Sequence, residues 1–265
     1  MTEFDRLRQA HSETLSVVSH DIRAPLGVIL GALTELANPQ VGALNDDQRT
    51  LLQLVRRSSE KLSRLANNVM FLNRIESAQP DAGSGDRVTP IELARHPSDL
   101  RVVVRRAVEA FERSGELGKI ALTTTLPEEA AMTNIDAERI GHLLANVVAN
   151  ALRFARKAVS IAIASDAEGV HLVVDDDGPG FVDAMIPTLF DRTLRPSVTA
   201  GKPPRGLGLV VVKGIVDAHD AIVRAENIPG DTPHEDAPAA SVRPKGARIR
   251  VTFPNVTFPN VAATT

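Results

Sequence analysis

The feature that most constrains the fold is a pair of apolar stripes near the start of the chain, each with the spacing of a coiled coil. Apolar residues recur at alternating steps of three and four, which places them on one face of a helix. The first stripe comprises Leu15, Val18, Ile22, Pro25, Ile29, Leu33 and Leu36, and the second comprises Leu51, Val55, Ser58, Leu62, Leu65, Val69 and Leu72. The breakers Asn38, Pro39 and Gly42 separate them, so the pattern predicts a helical hairpin.

Two helices with such long apolar seams cannot bury both seams on each other alone. Packing two hairpins together solves the problem, because a four-helix bundle encloses every seam. The stripes therefore predict a homodimer whose interface is a four-helix bundle.

One polar residue in the first stripe region is placed differently from its neighbours. His20 lies midway between Val18 and Ile22, and at about 100° per residue its side chain is expected to point away from the apolar stripe. Asp21 is adjacent to it, and Arg23 follows on the same helical face. An exposed imidazole beside a carboxylate is well placed to act as a nucleophile, although alone it is more typical of a solvated polar residue.

Composition excludes several classes of function. The chain has 265 residues, a net charge of -3 and no cysteine, which argues against nucleic acid as the main partner and excludes disulfides and thiolate chemistry. No apolar run approaches the roughly 18 residues of a membrane span. We therefore expect no direct membrane span in this chain and a cytoplasmic location, either for the chain alone or as the cytoplasmic part of a longer protein.

Shifts in composition divide the chain. We expect a helical hairpin over residues 1–78, a linker over 79–87, a second domain over 88–255 and a tail over 256–265. In the third part, strand-like runs at 120–126, 159–164 and 170–175 alternate with helical stretches at 98–114, 136–155 and 206–219. This alternation predicts an α+β layered domain.

The last part of that domain has unusual composition. Residues 229–245 are rich in proline, alanine and acidic residues, which is typical of a disordered insertion between the last two strands. The sequence VTFPN then occurs twice, at 251–255 and 256–260. We expect the first copy to be an edge strand and the second to belong to the tail.

Polar residues cluster on the predicted helix 136–155. Asn146, Asn150 and Arg153 recur at i, i+4 and i+7, so they form one polar line along the helix. Two carboxamides and a guanidinium could hold a hydrated magnesium ion and phosphate oxygens. An ordinary solvated helix face explains the same pattern.

Two glycine-containing segments follow. The run Asp175 to Phe181, DDDGPGF, passes from a strand into a turn, where a carboxylate could accept a hydrogen bond from an exocyclic amine such as that of adenine. A calcium loop is discounted because the required ligand spacing is missing. Farther on, Gly206 and Gly208 open an apolar helix, where free N–H groups favour a phosphate or where glycine simply permits close packing.

Taken in order, these segments resemble the sensor histidine kinases of two-component signalling. SHDIRAPL is similar to the H box of that family, HLLANVVANALRF to the N box, DDDGPGF to the first glycine box, LFDR to a reduced F box and RGLGLVVVKGIVDAHD to the second glycine box. The resemblance implies that the hairpin is the dimerisation and histidine-phosphotransfer domain. It also implies that the second domain is the α/β two-layer sandwich that binds ATP in gyrase and MutL-type ATPases.

The resemblance also implies roles for individual residues. His20 would accept the γ-phosphoryl group of ATP, Asp21 would act as its acid/base partner, and Arg23 would belong to the same catalytic group. The phosphoryl group would then pass to an aspartate in the receiver domain of a response regulator. For ATP and Mg²⁺, Asn150 would be the metal ligand and the other nucleotide-binding residues would be Asn146, Arg153, Asp176, Gly178, Gly180, Gly206, Leu207 and Gly208.

Departures from the family pattern qualify this reading. Ala24 stands where members that dephosphorylate their regulator usually carry Thr or Asn, so we expect weak phosphatase activity. Lys202 to Arg205 replace the usual small residues of the lid, and Asp220 stands where glycine is preferred, which puts nucleotide affinity in question. Two alternatives stay open: a degenerate nucleotide-binding dimer that regulates another kinase, and a related ATPase or serine-directed kinase.

Overall fold

The computed structural model describes residues 21–38, 40–77, 93–191, 207–230 and 245–255. The chain divides into two compact units, one containing Met1–Glu92 and Ala110–Gly118, the other Leu93–Glu109 and Lys119–Thr265. Several predicted features lie outside the described residues, namely His20, the linker 79–87, the lid residues 202–205, Gly206, most of the insertion 229–245 and the tail 256–265. The domain boundaries expected from composition remain predictions.

The first unit contains the predicted helical hairpin. Helix α1 is described over residues 21–36, and helix α2 spans Asp46–Ser77. A capping box starts α2, because the Gln48 N–H donates to Oδ1 of Asn45 at 2.8 Å and the Asn45 N–H donates to Oε1 of Gln48 at 2.9 Å. Asp46 and Asp47 in the first turn complement the helix dipole.

Only part of the apolar surface of the hairpin is buried within one chain. Leu26, Leu33, Phe71 and Leu72 are buried. Most of the two predicted stripes is instead exposed in the single chain, namely Ile22, Pro25, Ile29, Leu36, Leu51, Val55, Ser58, Leu62 and Leu65. The hairpin is confirmed, and the dimeric bundle that would cover this surface stays a prediction.

The second unit is built on a five-stranded sheet accompanied by a two-stranded sheet. The elements that follow α2 in the chain are β1 His96–Asp99, α3 Leu100–Ser114, β2 Ala121–Thr125, β3 Met132–Ile135, α4 Ala137–Phe154, β4 Ala158–Ser165, β5 Gly169–Asp176, a 3₁₀ helix Asp183–Thr188, α5 Gly208–Ala218, β6 Ile222–Ile228 and β7 Gly246–Pro254. The end of α3, from Ala110, belongs to the first unit. The larger sheet has the strand order β2-β4-β5-β7-β6, in which only β2 and β4 are parallel, and the smaller sheet pairs β1 with β3.

Helices α4 and α5 pack on one face of this sheet. The inward residues alternate along the strands, as in β4, where Val159, Ile161 and Ile163 are buried. Helix α4 begins at the N-cap Asp136, whose side chain accepts a hydrogen bond from the Arg139 N–H. The layers of helix and sheet confirm the predicted α+β class.

The structure also corrects and extends the sequence prediction. The first VTFPN copy is not an edge strand: it begins within β7, which is paired with β5 on one side and β6 on the other. Strands β1 and β3 were not predicted, since four residues each are too few for a clear alternation. In the described part of the chain, no helix is both long and apolar enough to cross a membrane.

Candidate functional site

Helix α4 carries the predicted polar line, but its members have different surroundings. Asn146 is buried and its Nδ2 donates to the His142 carbonyl at 2.9 Å. Asn150 is half-buried, whereas Arg153 is exposed and its guanidinium lies 5.3 Å from the ring centroid of Phe154. The line therefore runs from the packed interior of α4 to its exposed end.

The start of α5 lies directly against this line. A Cβ placed on Gly208 would come within 2.7 Å of Asn146 Oδ1, which is closer than real Cβ contacts allow. Leu207 is the N-cap of α5, and its apolar side chain makes no capping hydrogen bond. The structure thus joins Asn146 and Gly208, and it places the first amide groups of α5 next to α4.

The segment of residues 176–181, here called the glycine turn, begins where β5 ends. Asp176 is buried at this strand end, and its Oδ1 accepts a hydrogen bond from the Gly178 N–H at 2.8 Å. Burial raises the pKa of the Asp176 carboxyl above its ordinary value of 3.8, although backbone hydrogen bonds from Gly178 and Ala247 act in the opposite direction. A buried carboxylate is therefore held at a strand end with a defined orientation.

The same turn is packed onto the end of α4. A Cβ on Gly178 would lie 2.6 Å from the carbonyl oxygen of Phe154, so no larger residue fits there. Gly180 has a φ of 75°, a conformation that favours glycine. Both glycines are required by the backbone path that brings Asp176 close to α4.

Asp177 anchors the turn from its other side, a role that the sequence reasoning missed. Its carboxylate accepts hydrogen bonds from the backbone N–H groups of Arg156, Lys157 and Ala158, at distances from 2.7 to 3.2 Å. Partial burial acts to raise the pKa of Asp177, but these backbone donors hold it below 3.8. The run of aspartates was the available signal, yet it did not reveal which carboxylate binds backbone.

Asn227 on β6 is a second residue that was missed. The Phe181 N–H donates to Oδ1 of Asn227 at 2.6 Å, and Nδ2 of Asn227 donates to the Phe181 carbonyl at 3.0 Å. No local sequence pattern predicts this contact, because the two residues are 46 positions apart in the chain.

In the first unit, Asp21 and Ala24 are exposed on α1. Nη2 of Arg23 donates to Oδ1 of Asn67 on α2 at 2.7 Å and lies 2.9 Å from Sδ of Met70. The structure thus places the Arg23 guanidinium against α2.

Two family models match the chain. The model described as the His Kinase A (phospho-acceptor) domain matches residues 10–78. The model described as the histidine kinase-, DNA gyrase B- and HSP90-like ATPase matches residues 135–257.

The chain is also similar to curated proteins. It is 28% identical to the sensor protein KdpD of Escherichia coli over 255 residues, which are 96% of this chain and 25% of KdpD. It is 26% identical to the sensor histidine kinase WalK of Bacillus subtilis over 238 residues, which are 87% of this chain and 36% of WalK. The chain spans about a quarter of the length of KdpD.

Two solved structures share the fold. Full-length ShkA in complex with AMPPNP has a TM-score of 0.55 and 24% identity, covering 95% of this chain and 48% of that chain. The histidine kinase AdeS of Acinetobacter baumannii has a TM-score of 0.52 and 21% identity, covering 89% of this chain and 97% of that chain. At such identities, the likeness establishes the fold alone.

Proposed function

Because the chain belongs to the sensor histidine kinases, with their phosphoacceptor and ATPase domains in the family order, we propose that it is an ATP-dependent kinase that phosphorylates its own His20. The observation that carries this proposal is the convergence of α4, the glycine turn and the start of α5 in the second unit. Gly178 lies against the end of α4, and Gly208 lies against Asn146. This convergence is where we place the nucleotide.

In this proposal, the carboxylate of Asp176 accepts a hydrogen bond from the adenine amino group, with Gly178 and Gly180 shaping the surrounding turn. Asn146 and Arg153 lie near the phosphates. The backbone at Gly206, Leu207 and Gly208 supplies N–H groups at the start of α5.

A magnesium ion suits the donors on α4. Mg²⁺ prefers oxygen ligands and keeps several waters and substrate phosphates in its shell, so the side-chain oxygen of one residue is a sufficient protein ligand. The half-buried Asn150 supplies that oxygen. When bound, the ion neutralises negative charge on the phosphates.

The phosphoryl transfer uses residues of the first unit. A ring nitrogen of His20 forms a bond to the γ-phosphorus as the bond to the ADP oxygen breaks, and Asp21 accepts the proton that the imidazole releases. Arg23 belongs to this group as a cation three residues after His20 in the chain. The phosphoryl group then moves to an aspartate of a response regulator, which breaks the N–P bond.

The exposed stripes of the hairpin support a homodimer. Leu51 is 61% exposed and Leu62 is 49% exposed in the single chain. Burying such a row of apolar side chains against a second copy removes them from water. This stabilises the dimer by about 25 cal/mol for each Å² of apolar surface that is buried. We place the dimer interface on this surface.

The phosphatase activity of the same site is weak in this proposal. Ala24 is exposed and follows His20 by four residues in the chain, and a methyl group has no atom that orients an attacking water. Ala24→Thr should therefore increase dephosphorylation of the regulator. Fast dephosphorylation by the unsubstituted chain would contradict this part of the proposal.

The decisive experiment is incubation of the chain with Mg²⁺ and γ-labelled ATP. We expect label that is labile to acid and stable to alkali, and that disappears in His20→Ala but persists in His11→Ala, a matched control in the same segment. Nucleotide binding without any label would instead support the degenerate dimer that regulates another kinase. Acid-stable label would point to a hydroxyl acceptor.

A further inference from the structure

The side chain of Asn227 makes hydrogen bonds to the end of the glycine turn that a neighbouring strand would otherwise make. Its carboxamide both accepts from the N–H of Phe181 and donates to the carbonyl of Phe181, as a neighbouring strand residue does in an antiparallel pair. Nδ2 also donates to Oδ1 of Asp183 at 2.7 Å. These three bonds employ the oxygen and the amino group of the carboxamide.

Asn227 also lies in the same row of the sheet as Asp176. Ala247 of β7 is paired with Asp176 of β5 on one side and with Asn227 of β6 on the other. The Ala247 backbone further hydrogen-bonds to the Asp176 carboxylate. The paired residues Asp176, Ala247 and Asn227 therefore hold both ends of the glycine turn. Asp176 is at its start, and Asn227 binds Phe181 at its end.

The middle of the turn has little freedom to compensate. Gly178 lies against the Phe154 carbonyl, where even a Cβ would not fit. If Phe181 were released from Asn227, the turn would keep the hydrogen bond between Gly178 and Asp176 at its start. It would lose the hydrogen bonds between Phe181 and Asn227 at its end. Ligand binding would then have to order the released segment, which costs conformational entropy.

We propose that Asn227 is a positioning residue for adenine recognition: it closes the glycine turn so that the Asp176 carboxylate faces the adenine amino group. This inference rests on the proposed function, since it takes the ligand to be an adenine nucleotide. Asn227 acts through Phe181 and is not itself expected to contact the nucleotide.

The first test is Asn227→Ala in the full chain. We expect the Kd for ATP, measured by calorimetry, to rise about 10- to 30-fold, the amount expected for losing one or two net hydrogen bonds. In autophosphorylation assays, KM for ATP should rise while the rate at saturating ATP stays within about twofold. A merely structural role would not separate KM from kcat in this way.

Asn255→Ala is the matched control. Nδ2 of Asn255 donates to the carbonyls of Asp166 and Ala167, which ties an asparagine to a turn at the opposite end of β7. The control should lower stability to a similar extent and leave the Kd for ATP unchanged. An equal loss of affinity in both variants would overturn the proposal, because the effect would then come from general destabilisation.

A paired substitution tests the geometry itself. Asn227→Asp removes the donor to the Phe181 carbonyl and places a carboxylate against Asp183, so ATP affinity should fall. Adding Asp183→Asn to that variant restores a donor–acceptor pair between positions 183 and 227 and should recover part of the affinity.

The outcomes are distinguishable. If the unsubstituted chain binds ATP and Asn227→Ala binds it within twofold as tightly, the positioning role is wrong and the proposed function stands. If the unsubstituted chain binds no adenine nucleotide, both are wrong.

Discussion

Gly208, the first residue of α5, lies so close to Asn146 of α4 that an added Cβ would be 2.7 Å from the Asn146 side-chain oxygen. Asn146 is buried, and its Nδ2 is held by the His142 carbonyl. Any side chain at position 208 therefore requires either that Asn146 leaves His142 or that α5 moves away from α4.

Gly208→Ala should accordingly lower the free energy of unfolding by about 1–3 kcal/mol, the usual cost of overpacking, and weaken ATP binding. Urea unfolding and calorimetry measure the two effects. Gly141→Ala is the control within α4, because among the described residues no atom beyond the neighbouring helix backbone lies within 4 Å of its added Cβ. That variant should be neutral or more stable by up to about 1 kcal/mol, since alanine favours helix over glycine. Equal behaviour of both variants would contradict the close-packing argument.

Asp176→Asn should weaken ATP binding about 10- to 100-fold, the range for losing a hydrogen bond to a charged group. Asp175→Asn on the same strand is the control, because Asp175 instead pairs with Arg248 at 2.8 Å. Since burial raises the pKa of Asp176, its carboxylate is lost at a higher pH than that of an ordinary aspartate. ATP affinity should therefore begin to decline on acidification at a higher pH than it would with an ordinary aspartate at this position. An affinity independent of Asp176 would remove it from the nucleotide site.

His219 should make the second unit sensitive to mild acid. The buried ring is neutral, with Nδ1 donating to the Ile215 carbonyl at 2.8 Å and Nε2 accepting from the Asp136 N–H at 3.1 Å. Burial lowers the pKa of His219 below 6.5, with Arg95 lowering it further and Asp136 and Asp220 opposing the shift.

The unfolded chain therefore binds more protons than the folded chain between the lowered pKa and 6.5, so stability falls as pH falls through this window. Urea unfolding at pH 8, 7, 6 and 5.5 should show the decline, and His219→Gln should flatten it while lowering stability at pH 8. The exposed His96 on β1 supplies the control variant His96→Gln, which should keep the slope. A pH profile unaffected by His219→Gln would show that another group is responsible.

Leu62→Glu should convert the proposed dimer into a monomer, because it places a charge in the middle of the exposed apolar stripe of α2. Light scattering after size exclusion measures the mass directly. Val182→Glu is the control, since Val182 is 64% exposed in the second unit and lies outside the stripe. If Leu62→Glu stays dimeric, the interface lies elsewhere.

Much of the fold follows from local patterns. The predicted helix 136–155 is observed as Ala137–Phe154, and the predicted strand 170–175 as Gly169–Asp176. Helix α4 has a clear period because one of its faces is buried, whereas β5 is a short run of mainly apolar residues that is buried on both faces. No local sequence pattern indicates the order of the strands in the sheet. The first VTFPN copy shows the alternation of a strand, but alternation does not distinguish an edge from an interior position, and β7 proved to be interior.

By itself, the sequence determined the hairpin, the helices and strands with clear periodicity, and the order of motifs that identifies the family. These are local properties, because burial of one face of a helix or strand produces a regular spacing of apolar residues that are close together in the sequence. Only the tertiary structure decided which distant residues meet: Gly208 with Asn146, and Asn227 with Phe181. Those contacts depend on strand order and helix packing, which bring together residues far apart in the chain without leaving any periodic signal in it.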